Sequence, residues 1–142
     1  MGLIFARHGE SEANVLRVIS NRGWQHGLTD RGREQALQLA HQLEGFDRLL
    51  SSNLLEAELR AALKREAVEA AAEDLLSWLT WIFPNRPLSA EFIRIGAAGY
   101  LRGADLWHLA NALYLAPNPS GVSFLTLDAR QRQVASKLGF SV

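Results

Sequence analysis

The chain has 142 residues, 48% hydrophobic and 21% charged, which suits one soluble globular domain with a buried core. Fifteen basic and fifteen acidic side chains cancel, six of each sign within residues 1–50 and nine of each beyond, so no global field draws the chain to nucleic acid or membrane. The absence of cysteine excludes disulfides and thiolate metal sites.

In chain order, Leu3-Ile4-Phe5-Ala6 reads as a short buried strand, ended by Arg7 and the turn-prone Gly9. That apolar run is far too short for a signal peptide, and none approaches the ~20 residues a membrane span needs, so a cytoplasmic protein with no membrane contact is expected. Residues 9–28 form an irregular excursion. Thr29 is the expected N-cap of a helix whose apolar face is Ala36, Leu37, Leu39, Ala40 and Leu43, with Gly45 as its stop. Leu49-Leu50-Ser51-Ser52 is a second strand, completing a βαβ unit of the right-handed kind.

From Leu54 the pattern predicts helix through Ala57, Ala61, Leu63, Val68, Ala71, Leu75, Leu79 and Ile82 until Pro84. Trp78, Trp81 and Trp107 at helical spacing read as core or dimer surface. Ser89 is expected to cap a helix running to Tyr100, and Gly103-Ala104-Asp105 to open another that ends before Pro117. Val122–Leu127 is the clearest strand, followed by a helix over Ala129–Leu138 and a last short strand at Gly139–Val142. The expected fold is α/β, a single parallel-sheet three-layer sandwich over residues 1–142.

Arg7-His8-Gly9-Glu10, Asn14, Leu28-Thr29, Gly32, Gln35-Ala36 and Leu39 together resemble the histidine phosphatase superfamily, the phosphoglycerate-mutase-like enzymes, over residues 1–52. The resemblance implies that His8 attacks phosphorus to form phosphohistidine, while Arg7 and Asn14 neutralise phosphoryl oxygens. Two members of the family's set are missing. In a segment like SSPLxRAxQTA the chain reads Ser51-Ser52-Asn53-Leu54-Leu55-Glu56-Ala57, with glutamate where the arginine belongs. A carboxylate ~4 Å from a phosphate dianion costs several kcal/mol at an effective dielectric near 20. The second catalytic histidine is absent too, since His108 alone lies beyond His41 and sits in another local pattern.

From about Phe46 to Val142 the chain resembles a PIN domain, the Mg²⁺-dependent ribonuclease fold of toxins from toxin–antitoxin pairs. Glu58-Leu59-Arg60, Leu101-Arg102-Gly103-Ala104-Asp105-Leu106-Trp107-His108-Leu109-Ala110 and Leu125-Thr126-Leu127-Asp128-Ala129-Arg130 carry it. The resemblance implies catalytic, metal-holding carboxylates at Glu58, Asp105 and Asp128, Mg²⁺ or Mn²⁺ as cofactor, and RNA, an antitoxin and a second copy as partners. The bland reading is that Asp105 caps a helix, Asp128 opens a turn and His108 packs. The family's first aspartate is replaced by Ala6-Arg7-His8-Gly9, and Arg7 is expected to pair with the remaining carboxylates.

The chain thus reads as a hybrid: a phosphatase-derived first βαβ unit over residues 1–52, joined to a PIN-like scaffold over residues 53–142. Its expected function is that of a weak or inactive metal-dependent ribonuclease. The alternatives are a phosphohydrolase using His8, or a catalytically inert recombined or engineered chain.

Overall fold

A computed structural model describes residues 3–4, 29–43, 49–65, 69, 72–77 and 79–142. Their elements, in chain order, are β1 (Leu3–Ile4), α1 (Asp30–Leu43), β2 (Leu49–Ser52), α2 (Leu54–Arg65), α3 (Ala72–Ser77) and β3 (Leu79–Ile82). There follow α4 (Ser89–Ala98), α5 (Gly103–Leu115), β4 (Phe124–Leu125) and α6 (Ala129–Leu138). The fold is mixed α/β, with a small parallel sheet and mostly helices. Among the described residues, no helix is long and apolar enough to cross a membrane.

Local chemistry accounts for three helix ends. Thr29 caps α1 as expected: its Oγ1 accepts from the Gly32 amide at 3.0 Å. Gly45, its expected stop, lies outside the described residues. Asp128 caps α6 by accepting from the Gln131 amide at 2.8 Å. Gly139 ends that helix with φ 102°. There its own amide donates to Ser136 O at 3.0 Å, and that of Phe140 to Ala135 O at 3.1 Å. Glycine reaches this left-handed turn without the strain a Cβ would bring.

Four expectations need correction. Leu79–Ile82 is a strand, not the end of a long helix, because it pairs in parallel with β2, Leu49 beside Leu79 through Ser52 beside Ile82. Leu-Thr-Trp-Ile is too short for its period to separate helix from strand, and an available edge at β2 decides. Residues 79–82 therefore do not continue the helix expected to run to Pro84; Trp78 lies outside the described residues. Ser89 is the first residue of α4 rather than its cap: Leu88 holds the cap position without a side-chain bond, and the helix ends at Ala98.

β1 pairs in parallel with β4, Leu3 beside Phe124 and Ile4 beside Leu125. Of the expected strand Leu3–Ala6, residues 5 and 6 lie outside the described set. The Val122–Leu127 strand shrinks to Phe124–Leu125, and the expected last strand to one parallel bridge between Ser123 and Ser141. β1 also lies against β2, bringing the two parallel ladders together.

The described core is built mainly after residue 80. Ile82, Leu88, Ile95, Leu101, Leu109, Leu113, Phe124, Val134, Leu138 and Phe140 form one buried cluster, packing α4, α5 and α6 against β4. Gly99 lies where α4 meets α6: a Cβ there would stand 2.8 Å from Val134 Cγ2. G99A is therefore expected to cost about 1–3 kcal/mol through overpacking. By contrast, a Cβ at Gly96 meets nothing within 4 Å, and G96A should stabilise helix α4 by about 1 kcal/mol. Urea denaturation of both variants measures the contrast; equal stabilities would contradict the tight α4–α6 approach.

The segment before α4 is fastened by charge. Arg86 grips Glu91 with two nitrogens, at 2.6 and 3.0 Å, and lies 5.0 Å from the centre of the Tyr114 ring. The Tyr114 hydroxyl donates to Asn85 Oδ1 at 3.0 Å. The Arg86 hydrogen bonds hold the Glu91 carboxyl below its ordinary range, against the opposing effect of burial. A lowered folded value means that this stabilisation is complete above the unfolded glutamate range, about pH 4.3, and is lost as pH falls through the folded value. The melting-temperature gap between wild type and E91Q should thus shrink as pH is lowered from 6 toward 3 (about the span from full ionisation to protonation). A gap constant with pH would exclude the ion pair as its cause.

Candidate functional site

α5 collects the chemistry at its first two turns. It opens after Arg102, whose backbone is extended, and carries Asp105 in its first turn and His108 one turn on. Both are buried, at 8% and 4% exposure. The Nδ1 of His108 lies 2.8 Å from the hydroxyl of Ser52, the last residue of β2. Its Nε2 lies 2.8 Å from Glu58 Oε2 on α2. A carboxylate only accepts, so the Glu58 contact puts a hydrogen on Nε2; in the neutral ring Nδ1 then accepts from the Ser52 hydroxyl. Ser52 is fully buried, whereas the Glu58 side chain is 35% exposed. Ser52, His108 and Glu58 thus form a hydrogen-bonded line from the sheet interior toward solvent. Packing and hydrogen bonding, the bland reading of His108, is what the geometry displays.

A second polar group joins the start of α5 to the end of β4. Gln131 is 1% exposed and donates from Nε2 to the backbone carbonyl of Asp105 at 3.0 Å. Thr126 Oγ1 donates to Gln131 Oε1 at 2.5 Å and accepts from the Asp128 amide at 3.1 Å. The ends of β2 and β4 therefore both face the beginning of α5. Ile4 pairs with Leu125, so the chain leaves β1 at this same edge.

The expected site residues divide accordingly. Glu58, Asp105 and Asp128 are all drawn to this edge, Glu58 through His108, the other two through Gln131. Arg7, His8 and Asn14 lie outside the described residues, and so does the expected pairing of Arg7 with the carboxylates. A divalent cation would need several of these oxygens to converge. Among the described residues, no group of three or more His, Asp or Glu side chains is gathered closely enough to hold a metal ion. Glu58 instead faces His108, and Asp128 gives an oxygen to the helix cap.

Glu56, where an arginine is expected, is tied to Arg60 one turn on at 2.9 Å, and Arg60 reaches Glu73 of α3 at 2.9 Å. This exposed pair holds the carboxylate along α2. Sequence reasoning passed over Ser52 and Gln131 as site residues. Gln131 had a signal: Asp128-x-x-Gln131 has the spacing of a capping box. Ser52 had only its place at a strand end.

The family model of the histidine phosphatase superfamily (branch 1) matches residues 3–77. The match runs past the junction expected at residue 52 and takes in α2 and α3, and it supports neither a join there nor the PIN resemblance. No curated protein and no solved structure matches the chain.

Proposed function

The chain belongs to the histidine phosphatase superfamily (branch 1), and from that premise we propose that it is a phosphohydrolase whose nucleophile is His8. The observation that carries the proposal is the family match itself, which spans Arg7, His8 and Asn14 together with the α1 segment. Attack by a neutral imidazole forms an N–P bond as the ester P–O bond breaks; water then cleaves the phosphohistidine and releases phosphate. Arg7 and Asn14 hold the phosphoryl oxygens while charge builds on them.

Placement at the sheet edge supports this reading. Ile4, four residues before His8, pairs with Leu125 at the edge where Ser52, Asp105 and Asp128 gather, and four residues of extended chain span at most about 14 Å. Such carboxyl edges are where open α/β sheets collect ligands.

Hydrolysis of a generic phosphomonoester such as p-nitrophenyl phosphate, in the presence of a chelator, tests the proposal. Turnover is expected in the wild type and not in H8A. Metal-dependent cleavage of RNA that disappears in Asp128→Asn, with no phosphatase activity, would replace this reading by the nuclease one. Thermal melting with added Mg²⁺ or Mn²⁺ gives an independent check: no stabilisation is expected.

A further inference from the structure

Glu58 is held in an unusual manner for a surface carboxylate. Its Oε2 is bound by the buried His108 ring, itself backed by fully buried Ser52. Among the described residues, Oε1 has no hydrogen-bond partner, and the side chain is one-third exposed. An open hollow of about 330 Å³ is lined by Asn53, Leu54, Ala57 and Trp107, of which Ala57 directly precedes Glu58 in the chain. Three of these residues sit on or just before the first turn of α2, and the fourth immediately precedes His108. Leu54, Ala57 and Trp107 make the hollow largely apolar and aromatic, and the neighbouring residues Glu58 and His108 carry the fixed carboxylate.

From this arrangement we propose that Glu58 is a specificity residue, selecting phosphate esters whose organic part carries an amine or another hydrogen-bond donor, and that His108 is its positioning residue. The proposal rests on the phosphohydrolase reading for its substrate class. The physical reason is preorganisation. A carboxylate free to rotate would pair with any solvent cation at little net gain. One fixed by a buried imidazole presents its second oxygen in a set direction, and a charge-assisted bond there is about twice as strong as a neutral one. A plain alkyl phosphate offers no donor, and its dianion is repelled by the same carboxylate. The ammonium group of an amino-alkyl ester supplies the donor and offsets that repulsion.

The test compares 2-aminoethyl phosphate with propyl phosphate, nearly equal in size and differing in the amine. Binding is measured by calorimetry and hydrolysis by phosphate release, on the wild-type chain, E58Q, H108Q and H108N. A glutamine amide nitrogen reproduces the Nε2 donor to Glu58; the shorter asparagine does not reach it. The wild type is expected to favour the amino ester about tenfold, through KM rather than kcat. E58Q and H108N should lose that preference, and H108Q should restore most of it. Equal treatment of the two esters by the wild type, or an undiminished preference in H108N at unchanged melting temperature, would overturn the proposal. Amine-selective binding through Glu58 without hydrolysis would remove the phosphohydrolase reading and leave the binding preference standing. Failure to bind either ester would remove the proposal, while hydrolysis of p-nitrophenyl phosphate would still decide the phosphohydrolase reading.

Discussion

Replacing Phe124 with alanine is expected to destabilise the protein by about 3–5 kcal/mol, the range for emptying a fully buried aromatic site. Phe124 has no exposed surface and sits at the crossing point of three constraints. Its backbone pairs with Leu3 of β1, its amide donates to Ser141 O at 2.7 Å, and its ring meets that of Phe140 at 5.5 Å, tilted by 54°. Removing the ring leaves a cavity among α5, α6 and the last bridge. Flanking groups are held by backbone pairing and relax poorly, so the loss belongs at the upper end of that range. For a chain of this size, such a loss lowers the melting temperature by roughly 10 °C. Tyr100, exposed at 70%, is the internal control; Y100A should fall within about 0.5 kcal/mol of wild type. A loss below about 1 kcal/mol in F124A would show that the second half of the chain is not the packed centre.

H8A is expected to lower kcat/KM for phosphomonoesters by at least about three orders of magnitude, as loss of a covalent nucleophile does elsewhere. The reason lies partly in what else is available. His108 is 4% exposed, and its two nitrogens are engaged with Ser52 and Glu58, so it offers no accessible lone pair to phosphorus. Ser52 is wholly buried. No other described group at this edge is a ready substitute, and the H8A residue of activity should approach background. Glu56 sets a second expectation. In place of an attractive guanidinium it brings a carboxylate, partly neutralised by Arg60 at 2.9 Å. Wild-type turnover should therefore be slow, and KM for simple phosphate esters high. Turnover in H8A within tenfold of wild type would refute His8 as nucleophile.

Much of the local architecture was legible from residue order. Thr29 announced α1, Gly103-Ala104-Asp105 the start of α5, and Ala129–Leu138 the span of α6, because caps and helical periods depend on groups three or four residues apart; Asp128 and Gly139 as the ends of α6 were not foreseen. The phosphatase kinship was legible as well, since Arg7, His8, Asn14 and the α1 signals recur at a family spacing. Its extent was not: the match reaches residue 77, through a segment whose Glu56 departs from the family's arginine and whose Glu58 had pointed toward a PIN domain.

The chain by itself determined that this is an α/β protein of the histidine phosphatase superfamily with a helix-rich second half, because periodicity, caps and motif spacing are written in neighbouring residues. Only the tertiary structure decided that Leu79–Ile82 becomes a strand, since that depends on an edge offered by β2 some thirty residues away. It also decided that Glu58 meets His108, fifty positions apart along the chain. Such contacts arise when separate elements pack, and no local pattern of residues records them.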